Sequence, residues 1–340
     1  MEITFFVGNG FDIKNGMKTK YSDFYDYVRN DKKMRNAKAN NLIYDSIEED
    51  IEKWSNFEVA LGELTKDIKM GEKQMFIDSI LELRSDFREY LILEEKKINM
   101  DNPEIVNSLK ETMKNFYTDL KKTEKDKFIS IINQHRMANN KYNFINFNYT
   151  SLLKESLDIF GNAHVEERYL DRTNYQDTLR EYIDIHGTYD DGMLLGVNDI
   201  SQIKPDIYDD VEKSLLIKPE MNAALRNGKS EDAQLVINRS KIIIIYGMSL
   251  GKTDAVWWKE IINWLIDSEE RMLIIHSYNQ NVNLHNTYMY LKYRDAEIEN
   301  FMSYGEDLDD KIKEKIKDRI FICFNSESSF NLQFKKIDEE

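Results

Sequence analysis

Four times along this chain a strand-like apolar run stops abruptly at a glycine-rich or polar turn, and this repeated stop constrains the fold most. Ile3–Val7 runs into Gly8-Asn9-Gly10-Phe11-Asp12, and Tyr142–Phe147 into Asn148-Tyr149-Thr150. Tyr182–Ile185 runs into His186-Gly187-Thr188, and Lys241–Tyr246 into Gly247-Met248-Ser249-Leu250-Gly251-Lys252-Thr253-Asp254. With only 13 glycines and 3 prolines in 340 residues, glycine clustering carries information. Gly8, Gly10, Gly16, Gly187, Gly196, Gly247 and Gly251 mark places where the backbone must turn sharply or approach something closely.

Helical patterns fill much of the space between the runs. Apolar residues recur every three or four positions in Asp50–Ile68 (Ile51, Trp54, Phe57, Leu61, Leu64, Ile68), Met75–Leu93 and Ile105–Leu120, with Pro103 as a helix start. Helices are also expected over Thr150–Phe160, Thr253–Asp267 and Tyr304–Lys317, and strands over Met193–Val197, Arg271–Ile275 and Arg319–Phe324. Alternating strands and helices predict an α/β fold, Rossmann-like, with a mostly parallel sheet. The chain reads as one domain over residues 1–340. Residues 1–30 and 141–330 form the Rossmann-like core, 35–140 form a large helical insertion after strand 1, and the acidic tail Ile337–Glu340 is frayed.

Composition excludes several classes. Aromatic residues at 12% and hydrophobic residues at 41% suffice for a core, so global disorder is out. A net charge of −15 speaks against a broad nucleic-acid-binding face. The single cysteine, Cys323, rules out a disulfide framework or a multi-cysteine zinc site and fits a reducing compartment. No basic leader or membrane-length apolar stretch is visible, so a soluble cytoplasmic protein without membrane partners is expected.

In an open α/β sheet, ligands bind outside the carboxyl ends of the strands. Gly8 and Gly10 could turn backbone N–H groups toward a diphosphate; equally, they could form a tight turn with Asp12 capping a helix. Asn148 could orient a water or satisfy its own loop. His186 is the histidine best placed as a general base, beside the alternative of a packed residue. Gly247…Gly251-Lys252-Thr253 has three residues where a Walker A loop has four, so an ordinary strand–turn–helix with Asp254 as cap is favoured over a P-loop. Trp54 and Glu58 share a helix face, read as a core Trp beside a solvated Glu rather than a ligand-contacting lid. No metal-ligand spacing is present.

Taken together, Val7-Gly-Asn-Gly-Phe-Asp12, Asn15-Gly16 with Tyr21-Ser-Asp-Phe24, Trp54-Ser-Asn-Phe-Glu58, Phe147-Asn-Tyr-Thr150, Ile185-His-Gly187 and Gly247-Met-Ser-Leu-Gly251 with Asp254 resemble the AbiH family, bacterial proteins of phage abortive infection. More distantly, the same motifs are similar to sirtuin-like NAD-binding and NADase domains. That second resemblance implies catalytic roles for His186 and Asn148. It implies cofactor-binding roles for Gly8, Asn9, Gly10, Phe11, Asp12, Tyr149, Gly187, Gly247, Ser249, Leu250 and Asp254, with Ser249 on the adenosine side. One cysteine cannot build the four-cysteine zinc module of protein-deacetylating sirtuins, which points away from deacetylation.

The implied function is an anti-phage effector that hydrolyses the nicotinamide–ribose bond of NAD, which is substrate or ligand, with no cofactor required. The alternative is a non-catalytic nucleotide-binding sensor, and a third, weaker one an NTPase using Lys252. A phage or host trigger protein and a homo-oligomer are the partners left open.

Overall fold

A computed structural model describes residues 1–30, 40–305, 308–332 and 334–336. The expected frayed tail, Ile337–Glu340, and the boundary of the insertion at residue 35 lie outside them. Nine strands occur among the described residues: β1 (Glu2–Val7), β2 (Ile98–Asn99), β3 (Lys141–Asn146), β4 (Glu166–Leu170), β5 (Thr173–Asp184), β6 (Ile242–Tyr246), β7 (Met272–Ser277), β8 (Ile320–Phe324) and β9 (Lys335–Lys336). Seven form one sheet in the order β4-β5-β3-β1-β6-β7-β8, parallel except for β4, while β2 and β9 pair separately.

The parallel part is a doubly wound arrangement. The chain builds outward from β1 through β3 to β5, then returns to the other side of β1 for β6, β7 and β8, so the order reverses between β1 and β6. Register places Val7 opposite both Asn146 and Tyr246, and Asn146 opposite Asp184. Four strands therefore end at one level, and their loops emerge side by side.

The central strands read as continuous apolar runs because both faces are covered. On one face Phe5, Phe144, Tyr246 and Cys323 pack with Phe116, Phe128 and Phe330. Phe5 stacks on Phe144 at 5.1 Å and meets Phe330 edge-on at 5.6 Å. On the other face the Ile243, Ile245 and Ile275 side chains pack against Trp257, Trp258, Ile261, Ile262 and Trp264 of the helix Ala255–Asp267. Each fully buried side chain of this kind contributes about 1.5–3 kcal/mol.

The helices between β1 and β3 divide between two cores. Glu104–Asn115 and Lys122–Gln134 pack onto the sheet through Leu109, Met113 and Phe128. Tyr21–Asn30, Leu42–Glu49, Phe57–Asp67 and Lys73–Glu95 instead form a separate core around Phe24, Trp54, Phe57, Phe76 and Phe87. That core also recruits Leu195, Val197, Leu216 and Ile217 from after β5.

Three local expectations are corrected. The helix expected over Asp50–Ile68 is broken: Lys53–Ser55 is a single 3-10 turn, and Asn56 caps a new helix by accepting from the Val59 N–H. Met193–Val197 is not a strand. Its amides serve loops instead: Leu194 N–H donates to His186 O, and Val197 N–H to Leu216 O. The helix expected from Tyr304 begins at Asp310, capped by Asp309.

Candidate functional site

The four loops meet in a partly open cleft of about 200 Å³ above the β1/β6 reversal. Gly8, Asn9 and Asp12 line it from the first loop, Phe147–Thr150 from the second, His186 from the third, and Gly247, Met248, Ser249 and Asp254 from the fourth. The far wall comes from the separate helical core: Tyr21, Glu58, Phe87 and Leu91, with Thr19 beside them. Asn148 and His186, 38 residues apart in sequence, thus face the same hollow.

Of the two readings left open for Gly8 and Gly10, the hydrogen bonds favour the tight turn. The Gly8 N–H donates to Tyr246 O at 2.9 Å and the Gly10 N–H to Gly247 O at 2.7 Å. They are spent on joining two loops and are not free donors for a diphosphate. A Cβ on Gly10 would stand 2.5 Å from Gly247 Cα, so the two loops can interlock only without side chains here. Gly10, Phe11, Gly187 and Leu250 lie outside the lining. Phe11 is in the core against Phe330, 5.5 Å ring to ring, and Gly187 makes the positive-φ turn after His186. Leu250 packs on the sheet core and its carbonyl accepts from Tyr304 Oη at 2.9 Å. Lys252 is exposed and outside the cleft, which removes the support for a P-loop reading.

Asp12 caps nothing. It is 1% exposed, inside the short helix Gly10–Lys14, and accepts from Thr150 Oγ1 at 2.8 Å and Asn148 Nδ2 at 3.4 Å. Burial pushes its carboxyl up to about 8; the Thr150 hydrogen bond opposes this and Glu95 adds to it. Asn148 is clamped from below: its N–H donates to Asn146 Oδ1 at 3.3 Å, and Asn146 Nδ2 donates back to its carbonyl at 3.4 Å. Asp184 Oδ1 orients Asn146 by accepting from Nδ2 at 2.7 Å. The Asn148 Oδ1 atom is buried with no hydrogen-bond partner.

His186 is 8% exposed, held edge-on by Phe147 at 5.3 Å and near-parallel to Tyr149 at 6.1 Å. Burial drives its pKa well below the usual value; the Lys218 charge reinforces this and the Phe147 backbone pulls back only in part. The imidazole is therefore neutral across the physiological range. Its Nε2 lies 3.9 Å from Asp254 Oδ1. Asp254 occupies the position before the helix Ala255–Asp267 but makes no capping hydrogen bond, so the expected cap is a cleft carboxylate instead. Burial raises its pKa against the pull of Lys218.

Glu58 is the main correction. The expected solvated carboxylate is 8% exposed, lines the cleft and accepts from Lys218 Nζ, itself 3% exposed. Burial raises the Glu58 pKa, with Lys218 opposing and Asp254 adding. Burial alone would lower the Lys218 pKa, but Glu58 and Asp254 outweigh it and leave the ammonium held charged. One buried cation is thus shared by two carboxylates. Lys218 gave no sequence signal, because a lone lysine on a short helix is ordinarily solvated. Trp54, four residues before Glu58, is core as expected, with Nε1 donating to Ser46 Oγ at 3.1 Å.

Chemically, the cleft offers a neutral imidazole, an oriented amide and three carboxyl groups. Among the described residues no cluster of His, Cys, Asp or Glu could hold a metal ion, and no helix is long and apolar enough to cross a membrane.

The family model "Bacteriophage abortive infection AbiH" matches residues 4–276, which takes in every loop that lines this cleft. The chain belongs to the AbiH family. A role in phage abortive infection follows for it as a member of that family. No curated protein matches the chain.

Proposed function

We propose that this AbiH protein acts in abortive infection by hydrolysing the nicotinamide–ribose bond of NAD in the cleft above the β1/β6 reversal. The supporting observation is the meeting of Asn148 and His186, from two different loops, with the carboxyl groups of Asp12 and Asp254 around one hollow. Asp254, 3.9 Å from His186, in its ionised form suits a cationic pyridinium ribosyl group and an oxocarbenium-like transition state. The water oxygen bonds to C1′ as the C1′–N bond breaks, and the electron pair of that bond returns to the ring, which leaves as neutral nicotinamide. His186 takes the proton from the water, and Asn148 orients that water.

A second reading, binding without turnover, draws support from the deep depression of the His186 pKa, because such an imidazole is a weak proton acceptor. Nicotinamide release separates the two. On the first reading, purified protein converts NAD to nicotinamide and ADP-ribose, and His186→Ala and Asn148→Ala each lose at least a hundredfold in rate, on the order of one general-base contribution. Ligand-induced thermal stabilisation with no product from cells challenged with phage supports the sensor instead.

A further inference from the structure

The short helix Gly10–Lys14 carries Asp12 into the cleft, yet five residues of helix cannot hold themselves in water. What fixes this helix comes from after β8, in Asn325–Leu332, a stretch beyond the residues that the family model matches. Phe11, Lys14 and Asn15, at the helical spacing i, i+3, i+4, are all spent on it. The Phe11 ring meets Phe330 edge-on at 5.5 Å, and Lys14 Nζ donates to Ser326 O at 2.9 Å and Glu327 O at 3.0 Å. Asn15 uses both ends of its amide: Nδ2 donates to Phe330 O at 3.2 Å, and Oδ1 accepts from the Leu332 N–H at 3.1 Å. The fourth loop is braced from the same stretch. The Phe330 ring lies 4.7 Å from that of Tyr246, and Tyr246 Oη donates to Ser329 O at 3.2 Å. Because Tyr246 O accepts from the Gly8 N–H, one ring underlies both halves of the glycine interlock.

Phe330 has a φ of 53°, in the left-handed region that a bulky side chain rarely enters. Backbone held there persists only where its surroundings over-determine it. Here the Phe330 N–H donates to Thr112 Oγ1 at 2.8 Å, its carbonyl accepts from Asn15, and its ring is fully buried, edge-on to Phe5. From this we infer that Asn325–Leu332 is a strap that sets the position of the first and fourth loops, with Phe330 as its positioning residue. The floor of the cleft is thus fixed from behind by residues that do not line it. This assignment rests on the cleft as the binding site but not on NAD as its ligand or on turnover.

Amide hydrogen exchange of the full chain, read by mass spectrometry, tests it on Phe330→Leu and Asn15→Ala. Phe128→Leu is the control, a fully buried ring of the same sheet face whose ring partners are Phe116, Tyr117 and Phe321. In both strap variants the peptides over Gly8–Met17 and Gly247–Gly251 should exchange about tenfold faster than in the wild type, while those over Ala255–Asp267 change less than about twofold. In the control the two loops should keep their wild-type rates. Calorimetric titration with NAD should show about tenfold weaker binding in the strap variants and unchanged binding in the control. If Phe330→Leu does not fold, Asn15→Ala decides alone. Exchange that rises uniformly, loops that stay at wild-type rates, equal loosening by Phe128→Leu, or loosened loops with undiminished NAD affinity overturns the inference. A wild-type chain that does not bind NAD removes the NAD reading, and the exchange rates then decide the strap by themselves.

Discussion

Asp12 gives the most direct physical test of the site. Its carboxyl is buried and lifted to about 8, whereas in an unfolded chain it titrates near 3.9. Between those values the folded protein holds a proton that the unfolded chain has released. Stability on this account is fully present below about pH 4 and declines as pH rises through the folded value. The slope is about 1.4 kcal/mol per pH unit for one proton, or about 4 kcal/mol between pH 5 and pH 8. Asp12→Asn keeps the shape and an oxygen to accept from Thr150 but cannot titrate. Urea unfolding of both proteins at half-unit steps from pH 5 to pH 9 isolates the term, because other titrating groups largely cancel in the difference. The wild-type advantage over Asp12→Asn should shrink steadily up to about pH 8 and then level off. Parallel stability curves for the two proteins would refute the buried-acid account of Asp12.

Two further perturbations probe the walls of the cleft. Lys218→Met leaves Glu58 as an uncompensated buried charge and should cost about 3–5 kcal/mol in denaturant unfolding, while Lys218→Met with Glu58→Leu should recover much of it. Gly10→Ala drives a Cβ to 2.5 Å from Gly247 Cα; it should lower stability by about 1–3 kcal/mol and weaken ligand binding, measured by thermal melting with and without NAD.

The sheet was legible because its strands are buried on both faces and so spell themselves as apolar runs, from Phe5-Phe6 to Ile242–Ile245. The β4–β5 hairpin was not. Its turn uses Asp171 and Arg172 at positive φ with no glycine, so the usual hairpin signal is missing, and its outer strand is half-exposed. The helix Thr287–Met302 escaped notice because Tyr290, Ile298, Phe301 and Met302 are its buried positions among many polar ones. At the site, loop position identified Asn148 and His186, since both follow strand ends. Glu58 escaped because a carboxylate on an amphipathic helix reads as solvated until its buried partner is known, and that partner, Lys218, is 160 residues away. The glycine loops were located correctly but their work stayed open between a phosphate cradle and a tight turn, because sequence does not reveal that the Tyr246 and Gly247 carbonyls already occupy the Gly8 and Gly10 amides.

Tyr21, Glu58, Phe87 and Leu91 come from a helical core that packs apart from the two faces of the sheet. The cleft is therefore made of two parts pressed together, neither of which contains it alone. A small tilt of that helical block would carry Glu58 away from Asp254 and open the cleft while leaving the sheet core untouched. Were the proposed hydrolysis to take place there, it would be switched by leverage on an outer surface, with no plug needed in the hollow itself.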